Sequence, residues 1–255
     1  MILYGVADNV ATITLNRPER MNALTPKLLT ELAQAVRQAE KDGARALVLT
    51  GEGAAFCSGA DLIGDGEGMP DDLGALLETY YLPAVQALAD ANIPIVCALN
   101  GPAVGAGLSF ALAADIVVMA RSAYLMLAFA NIGLVPDAGA TWFVAKSAGR
   151  AKALEMALLG EKVSAEQALE LGLVTRVVDD EALAEETGKI AAKLANGPSV
   201  ALGFIRKQVA AALNSTLEET FAIEQANQTT AGRTADFREA VTAFAQKRKP
   251  IFKGE

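Results

Sequence analysis

The chain has 255 residues, 52% of them hydrophobic, and a formal net charge of −8. This apolar content suits one large α/β domain, or a core with a smaller appendage, and argues against disorder; the acidic balance argues against a broad nucleic-acid-binding face. There is no histidine, which removes a histidine general base, a Ser–His or Cys–His nucleophile pair and histidine metal ligands.

The runs "ILYGV" and "VATITL" flank Asp8-Asn9 and predict a β-hairpin. Thr25-Pro26 has the form of an N-cap followed by proline at the first helical position, so a helix is expected to about Lys41, where Asp42-Gly43 stops it. "ALVLT" (46–50) is a short branched apolar run, a buried strand. The glycine-rich stretch "GEGAAFCSGADLIGDGEG" follows, then a helix over roughly 72–90. "IPIVCALN" predicts a strand, "GAGLSFALAAD" a helix, and "IVVMA" and "AYLMLA" two further strands. Residues 91–114 carry no formal charge and have the length of a membrane span. Asn100-Gly101-Pro102 divides them, however, and no basic cluster flanks them, so a strand, a turn and a helix are expected and no membrane partner.

Beyond Asp137, "AGATWFVAKSAG", "AKALEMALLG" and "SAEQALELG" predict helices and "LVTRVV" one more strand. Residues 180–247 predict three or four amphipathic helices punctuated by Gly197-Pro198. Strands alternating with helices imply parallel βαβ crossovers and a sheet buried on both faces. Cys57 and Cys97 lie 40 positions apart, which is neither metal-site nor disulfide spacing, and the N-terminus has no signal-peptide pattern; the expectation is a cytoplasmic protein.

Two glycine-rich strand-to-helix junctions, "FCSGADL" and "NGPAVGAGLSF", are places where backbone amides stand unpaired at a helix start. Facing one point, they would bind an oxyanion; singly, each also reads as ordinary turn chemistry. "GPAVGAG" is not a dinucleotide fingerprint, because its glycines do not fit G-x-G-x-x-G. Asp137 in "IGLVPDAGATW" is the sole charge between Arg121 and Lys146. It has two readings: a helix N-cap, which lowers its pKa, or an acid/base raised by apolar neighbours such as Trp142, Phe143 and Phe129. Asp61 and Asp115 are expected to bond loop amides, and Asp61 to help orient its loop. Cys57 and Ser58 have no activating base in the sequence.

"ITLNRPERMNAL" (13–24), "AFCSGADL" (55–62), "NGPAVGAGLSFALAADI" (100–116) and "IGLVPDAGATW" (132–142) occur in order, and with the C-terminal "FAQKRKPIFKGE" they resemble the crotonase superfamily, the enoyl-CoA hydratase/isomerase family, over nearly the whole chain. The resemblance implies an α/β fold: a crotonase-like spiral of ββα units (1–196, with the acyl-CoA site) and a C-terminal helical region (197–255) that drives assembly into a homotrimer or a dimer of trimers. It implies an acyl-CoA thioester substrate, with coenzyme A part of that substrate and no separate cofactor or metal. The oxyanion donors map to the backbone N–H groups of Ala60 and Ala106. Ser109, Phe129, Asp61, Leu62, Gly105, Arg20 and Ala23 are candidate substrate-binding residues. Arg17, Arg20 and Lys27 are either a solvated face or neutralise CoA phosphates. In the basic tail of Lys247, Arg248, Lys249 and Lys253, Phe252 and Lys253 are candidates to reach a neighbouring subunit's CoA.

The two glutamates with which hydratases of this family add water map to Ser109 and Phe129, and neither side chain is an acid or base near neutral pH. Around Asp137 the sequence resembles the ring-epoxide isomerases of phenylacetate breakdown and the overlapping Δ3-Δ2 enoyl-CoA isomerases, in which an aspartate at this point is the catalytic acid/base. The expectation is an acyl-CoA isomerase. The alternatives are an atypical hydratase, a hydrolase with Asp137 as nucleophile, and a non-catalytic partner in a multienzyme complex.

Overall fold

In the computed structural model, residues 1–64 and 72–255 are described. The end of the predicted glycine-rich loop, residues 65–68, lies outside the described residues.

Asp8 and Asn9 both take left-handed backbone angles (φ 51° and 62°), the requirement of a two-residue hairpin turn. They join strand β1 (Ile2–Ala7) to β2 (Val10–Leu15) in antiparallel register, Ala7 opposite Val10. Helix α1 (Pro26–Lys41) starts where the sequence places it: Thr25 Oγ1 accepts the Leu28 N–H at 3.2 Å. Its inner face buries Leu28, Leu29, Leu32 and Val36. Strand β3 (Ala46–Gly51) leads through the first glycine loop toward a helical stretch in three parts: α2 (Leu73–Leu76), a π-helical turn (Leu77–Tyr81) and α3 (Leu82–Asp90). Next come β4 (Ile95–Leu99), β5 (Ala103–Val104), α4 (Ala106–Leu112), β6 (Ile116–Ala120) and β7 (Tyr124–Met126). The chain continues with α5 (Ala140–Leu159), β8 (Lys162–Ser164), α6 (Ala165–Glu170), β9 (Arg176–Val178), α7 (Leu183–Ala195), α8 (Ser199–Ala212), α9 (Leu217–Ala231) and α10 (Ala235–Ala245).

The strands form a six-stranded sheet in the order β1-β2-β3-β4-β6-β9 and a three-stranded sheet in the order β5-β7-β8. From β2 onward the large sheet is parallel. Twice the chain passes from the large sheet into the small one, β4 to β5 and β6 to β7; α4 returns it to β6, whereas α5 leads first to β8 of the small sheet and α6 then returns it to β9. The first glycine loop makes the same passage with a single bridge, Cys57 to Ala103. This repeated strand–strand–helix turn is the expected ββα spiral. Helices α1 and α3 pack together beside the hairpin, while α7 lies against β3, β4 and β6. Every side chain of β4 is therefore buried.

Two expectations need correction. The sheet is not covered on both faces throughout: β1 is an edge strand with five of its six residues exposed. The two helices expected after Asp137, by contrast, are both present: they are the two halves of α5, divided at the non-helical Gly149 (φ 77°, ψ 167°). Strands β5 and β8 were not anticipated; with two and three residues, they are too short to show a period.

The four C-terminal helices agree with the upper end of the expected number. Helix α8 docks on the end of α3 through Arg206, which donates to the carbonyls of Leu88 (2.8 Å), Ala89 (3.1 Å) and Ala91 and pairs with Asp115 (2.9 Å). Among the described residues no helix is long and apolar enough to cross a membrane.

Candidate active site

The two glycine junctions meet. Gly59 (φ 95°) and Gly105 (φ 55°, ψ −128°) take backbone angles that L side chains rarely adopt, and each stands one residue before a predicted donor. A Cβ on Gly59 would lie 2.9 Å from the Val104 carbonyl oxygen and 3.8 Å from the Ala106 nitrogen; one on Gly105 would lie 3.9 Å from Gly59 Cα. Only bare backbone allows this approach, and it sets the Ala60 and Ala106 peptides side by side.

The direction of Ala60 follows from its neighbours. Leu24 N–H donates to the Gly59 carbonyl at 2.7 Å, and Asp61 N–H donates to the Leu24 carbonyl at 2.9 Å. By the alternation of a strand pair, Ala60 N–H faces away from Leu24. Ala106 opens α4, where helix geometry leaves its N–H without an internal acceptor. Among the described residues neither N–H has a hydrogen-bond acceptor.

A buried ion pair supports the first loop. Arg17 Nη2 meets Asp61 Oδ2 at 2.8 Å, with both side chains less than a tenth exposed, and Arg17 Nη1 donates to the Ala23 carbonyl at 2.6 Å. Asp61 Oδ1 accepts from Ile63 N (3.3 Å) and Gly64 N (3.1 Å). Burial pushes the Asp61 carboxyl up, but Arg17 and these amides outweigh it and hold it below the ordinary value. Arg17 is therefore neither a solvated residue nor a free phosphate ligand. Asn22 fixes the loop's other arm, donating to the carbonyls of Glu52 (2.9 Å) and Ala55 (2.8 Å).

Asp137 is half-buried and Tyr81 is 8% exposed. Asp137 is not the N-cap of α5: Gly139 occupies that position, and no side chain caps the helix. Asp137 Oδ1 is buried and has no hydrogen-bond partner among the described residues. Burial, with no compensating donor, lifts its pKa from 3.8 to about 6. Its backbone is held instead: its carbonyl accepts from Ala140 N at 2.9 Å and from Ser109 Oγ at 3.1 Å. Ser109 is wholly buried on the first turn of α4, three residues after Ala106. Phe129, also buried, lies behind Gly105, its Cζ 3.7 Å from where a Cβ would stand.

A model of the enoyl-CoA hydratase/isomerase family matches residues 5–255. The chain belongs to the enoyl-CoA hydratase/isomerase family. It is 45% identical to a 1,2-epoxyphenylacetyl-CoA isomerase of Escherichia coli, covering 100% of this chain and 98% of that protein. It is also 45% identical to a probable enoyl-CoA hydratase of Rhodobacter capsulatus, covering 99% of this chain and 98% of that one. The crystal structure of a putative enoyl-CoA hydratase/isomerase from Mycobacterium abscessus superposes with a TM-score of 0.94 at 36% identity, over all of both chains. The fold is that of the crotonase superfamily.

In this enoyl-CoA hydratase/isomerase family member, the structure brings Ala60, Gly105, Ala106, Ser109, Phe129 and Asp137 into one cluster. Ala23 and Asp61 lie beneath it in the Arg17 network. Leu62 is exposed next to Asp61, and Arg20 reaches the Gly64 carbonyl at 3.5 Å. Lys27 is exposed, 3.9 Å from Glu31. Asp115 serves the fold rather than the glycine loop, accepting Ile95 N at 2.7 Å. Burial pushes the Cys57 thiol up to about 12, so it is not a nucleophile at neutral pH. The tail is tied to its own chain: Lys253 N donates to Asp236 at 2.7 Å, and Arg45 donates to the Phe252 carbonyl at 3.1 Å.

Tyr81 was missed from the sequence. With Leu77, Glu78, Leu82, Val85, Ala138 and Gly139, it lines a cavity of about 420 Å³ next to Asp137. Burial raises the Tyr81 hydroxyl above its ordinary pKa, and the charges of Asp137 and Cys57 add to this. Its only signal in the sequence is "TYY" in an otherwise unreadable helix.

Proposed function

We propose that this protein is an acyl-CoA isomerase that shifts a double bond, or rearranges a ring epoxide, through a thioester enolate. The observation that carries the reading is the Asp137 carboxyl: unpartnered, half-buried and poised near pH 6, where Ser109 and Phe129 leave no other acid or base in the hydratase positions. Its carboxylate takes the acidic C2 proton of a β,γ-unsaturated thioester. The electron pair spreads over the dienolate, whose oxygen accepts the Ala60 and Ala106 N–H groups. The protonated carboxyl then returns the proton at C4, leaving the α,β-unsaturated thioester. Proton and electrons balance with one carboxyl group and no added water. The isomerase name of the E. coli relative supports this reading.

The hydratase name of the R. capsulatus relative, at the same identity, favours a second reading in which Asp137 activates water. Initial rates with 3-hexenoyl-CoA and crotonyl-CoA distinguish the two. Isomerisation well above hydration supports the proposal, and comparable hydration supports the rival. We further propose that residues 197–255 serve subunit association, because α8 to α10 expose Ile205, Val209, Phe221, Val241 and Phe244. Light scattering is expected to give a trimer or its multiple, and a monomer overturns this.

A further inference from the structure

Tyr81 ends the π-helical turn Leu77–Tyr81, and such turns recur at functional sites. The cavity beside it is bounded by that turn and by Ala138-Gly139, the residues that immediately follow Asp137. Leu77, Leu82 and Val85 make it mainly apolar, with Glu78 at an exposed position. Among the described residues the Tyr81 hydroxyl makes no hydrogen bond, to Asp137 or to any other group, and unlike Asp137 Oδ1 it is not sealed from solvent. A tyrosine ring packed in the core with its hydroxyl open to an apolar cavity takes its partner from water or from a ligand's polar atom. Here the free volume it faces is the space beside the proposed base.

We propose that Tyr81 is a specificity residue whose hydroxyl donates a hydrogen bond to an oxygen atom carried on the substrate's acyl group, as in a ring ether, epoxide or carbonyl. The proposal rests on the acyl-CoA reading of the site but not on Asp137 being the base. A purely hydrocarbon acyl group filling the cavity strips water from the hydroxyl and offers nothing in return. An oxygen-bearing group of the same shape satisfies it. Sites built to hydrogen-bond a substrate discriminate strongly against the analogue that lacks the polar atom.

The test uses unreactive ligands, so that binding is read apart from chemistry. Cyclohexylacetyl-CoA and the three tetrahydropyranylacetyl-CoA isomers differ only by CH2 against O. Their affinities are measured by calorimetry on the whole protein and on its Tyr81→Phe variant. At least one ether isomer is expected to lose about tenfold in Kd on Tyr81→Phe, while the cyclohexyl ester changes by less than about threefold. Equal losses for both ligands, a shape effect, overturn the proposal, as does no loss for any ether isomer. An Asp137→Asn variant is expected to keep the ether preference, and loss of the preference there assigns recognition to Asp137 instead and also overturns it. If no ester binds the parent protein, the acyl-CoA reading itself fails, an outcome distinct from the others.

Discussion

Ser109 Oγ donates a 3.1 Å hydrogen bond to the carbonyl of Asp137, across 28 positions of sequence. Ser109 is one helical turn beyond Ala106, so the first turn of α4 presents the proposed oxyanion donor with its backbone and fixes the proposed base with a side chain. Three residues of helix rise about 4.5 Å, which keeps the two functions within the reach of one small acyl unit. At a position where the family's hydratases carry an acid, this chain carries a tether.

If Ser109 only tethers, Ser109→Ala should leave the carboxyl in place but less well aimed. We expect kcat to fall by about tenfold or less, with KM nearly unchanged, since one neutral hydrogen bond is worth about 1 kcal/mol. Steady-state kinetics with 3-hexenoyl-CoA check this. A loss as large as that of Asp137→Asn would mean that Ser109 itself takes part in proton transfer.

The raised pKa of Asp137 sets a pH profile. As a base, the carboxyl must be ionised, so kcat/KM for isomerisation should rise with pH through about 6 and then level. The sign for stability is opposite. Between 3.8 and about 6 the folded chain holds a proton that the unfolded chain has released, so this group makes stability fall as pH rises through that window. Asp137→Asn should therefore raise Tm above pH 6 and bring little gain below pH 4. Thermal melts at both ends of the range read this directly, and an unchanged difference between variant and parent across the range contradicts it.

The Arg17–Asp61 pair should act on the fold before it acts on CoA. Breaking a buried pair from one side costs about 3–5 kcal/mol, so Arg17→Ala is expected to lower the denaturation midpoint strongly. A variant of normal stability with only a raised KM would restore the phosphate-binding reading.

Gly59→Ala tests the contact between the two loops. The new methyl meets the Val104 carbonyl at 2.9 Å in a left-handed backbone, which costs on the order of 1–3 kcal/mol and displaces the proposed donor at Ala60. Activity should fall by more than the loss of folded protein accounts for; parent-like turnover per folded molecule would show that the loop approach is not needed.

Elements that carry their own local signals were legible in the sequence: the Asp8-Asn9 turn, the Thr25-Pro26 cap and the all-apolar β4. The meeting of the two glycine loops was legible because backbone contact requires glycine at Gly59 and Gly105. Strands β5 and β8 were not, because two or three residues owe their state to the neighbouring strand rather than to their own pattern. For Asp137 the sequence left cap and base open; Gly139 at the helix start removes the cap reading. Arg17 looked like any surface cation, since nothing local reveals that Asp61 lies 44 positions away in the same buried pocket. Tyr81 had no readable partner because what it faces is a cavity, and a cavity leaves no mark in sequence.

The central claim is that the Asp137 carboxyl moves the proton. Parent and Asp137→Asn protein, each saturated with 3-hexenoyl-CoA in deuterated water, are followed by NMR for exchange at C2 and appearance of the 2-enoyl product. The account predicts both in the parent, and at least about a 10²-fold loss of both in the variant with the affinity for the ester retained. Exchange and isomerisation at the parent rate in Asp137→Asn would contradict it.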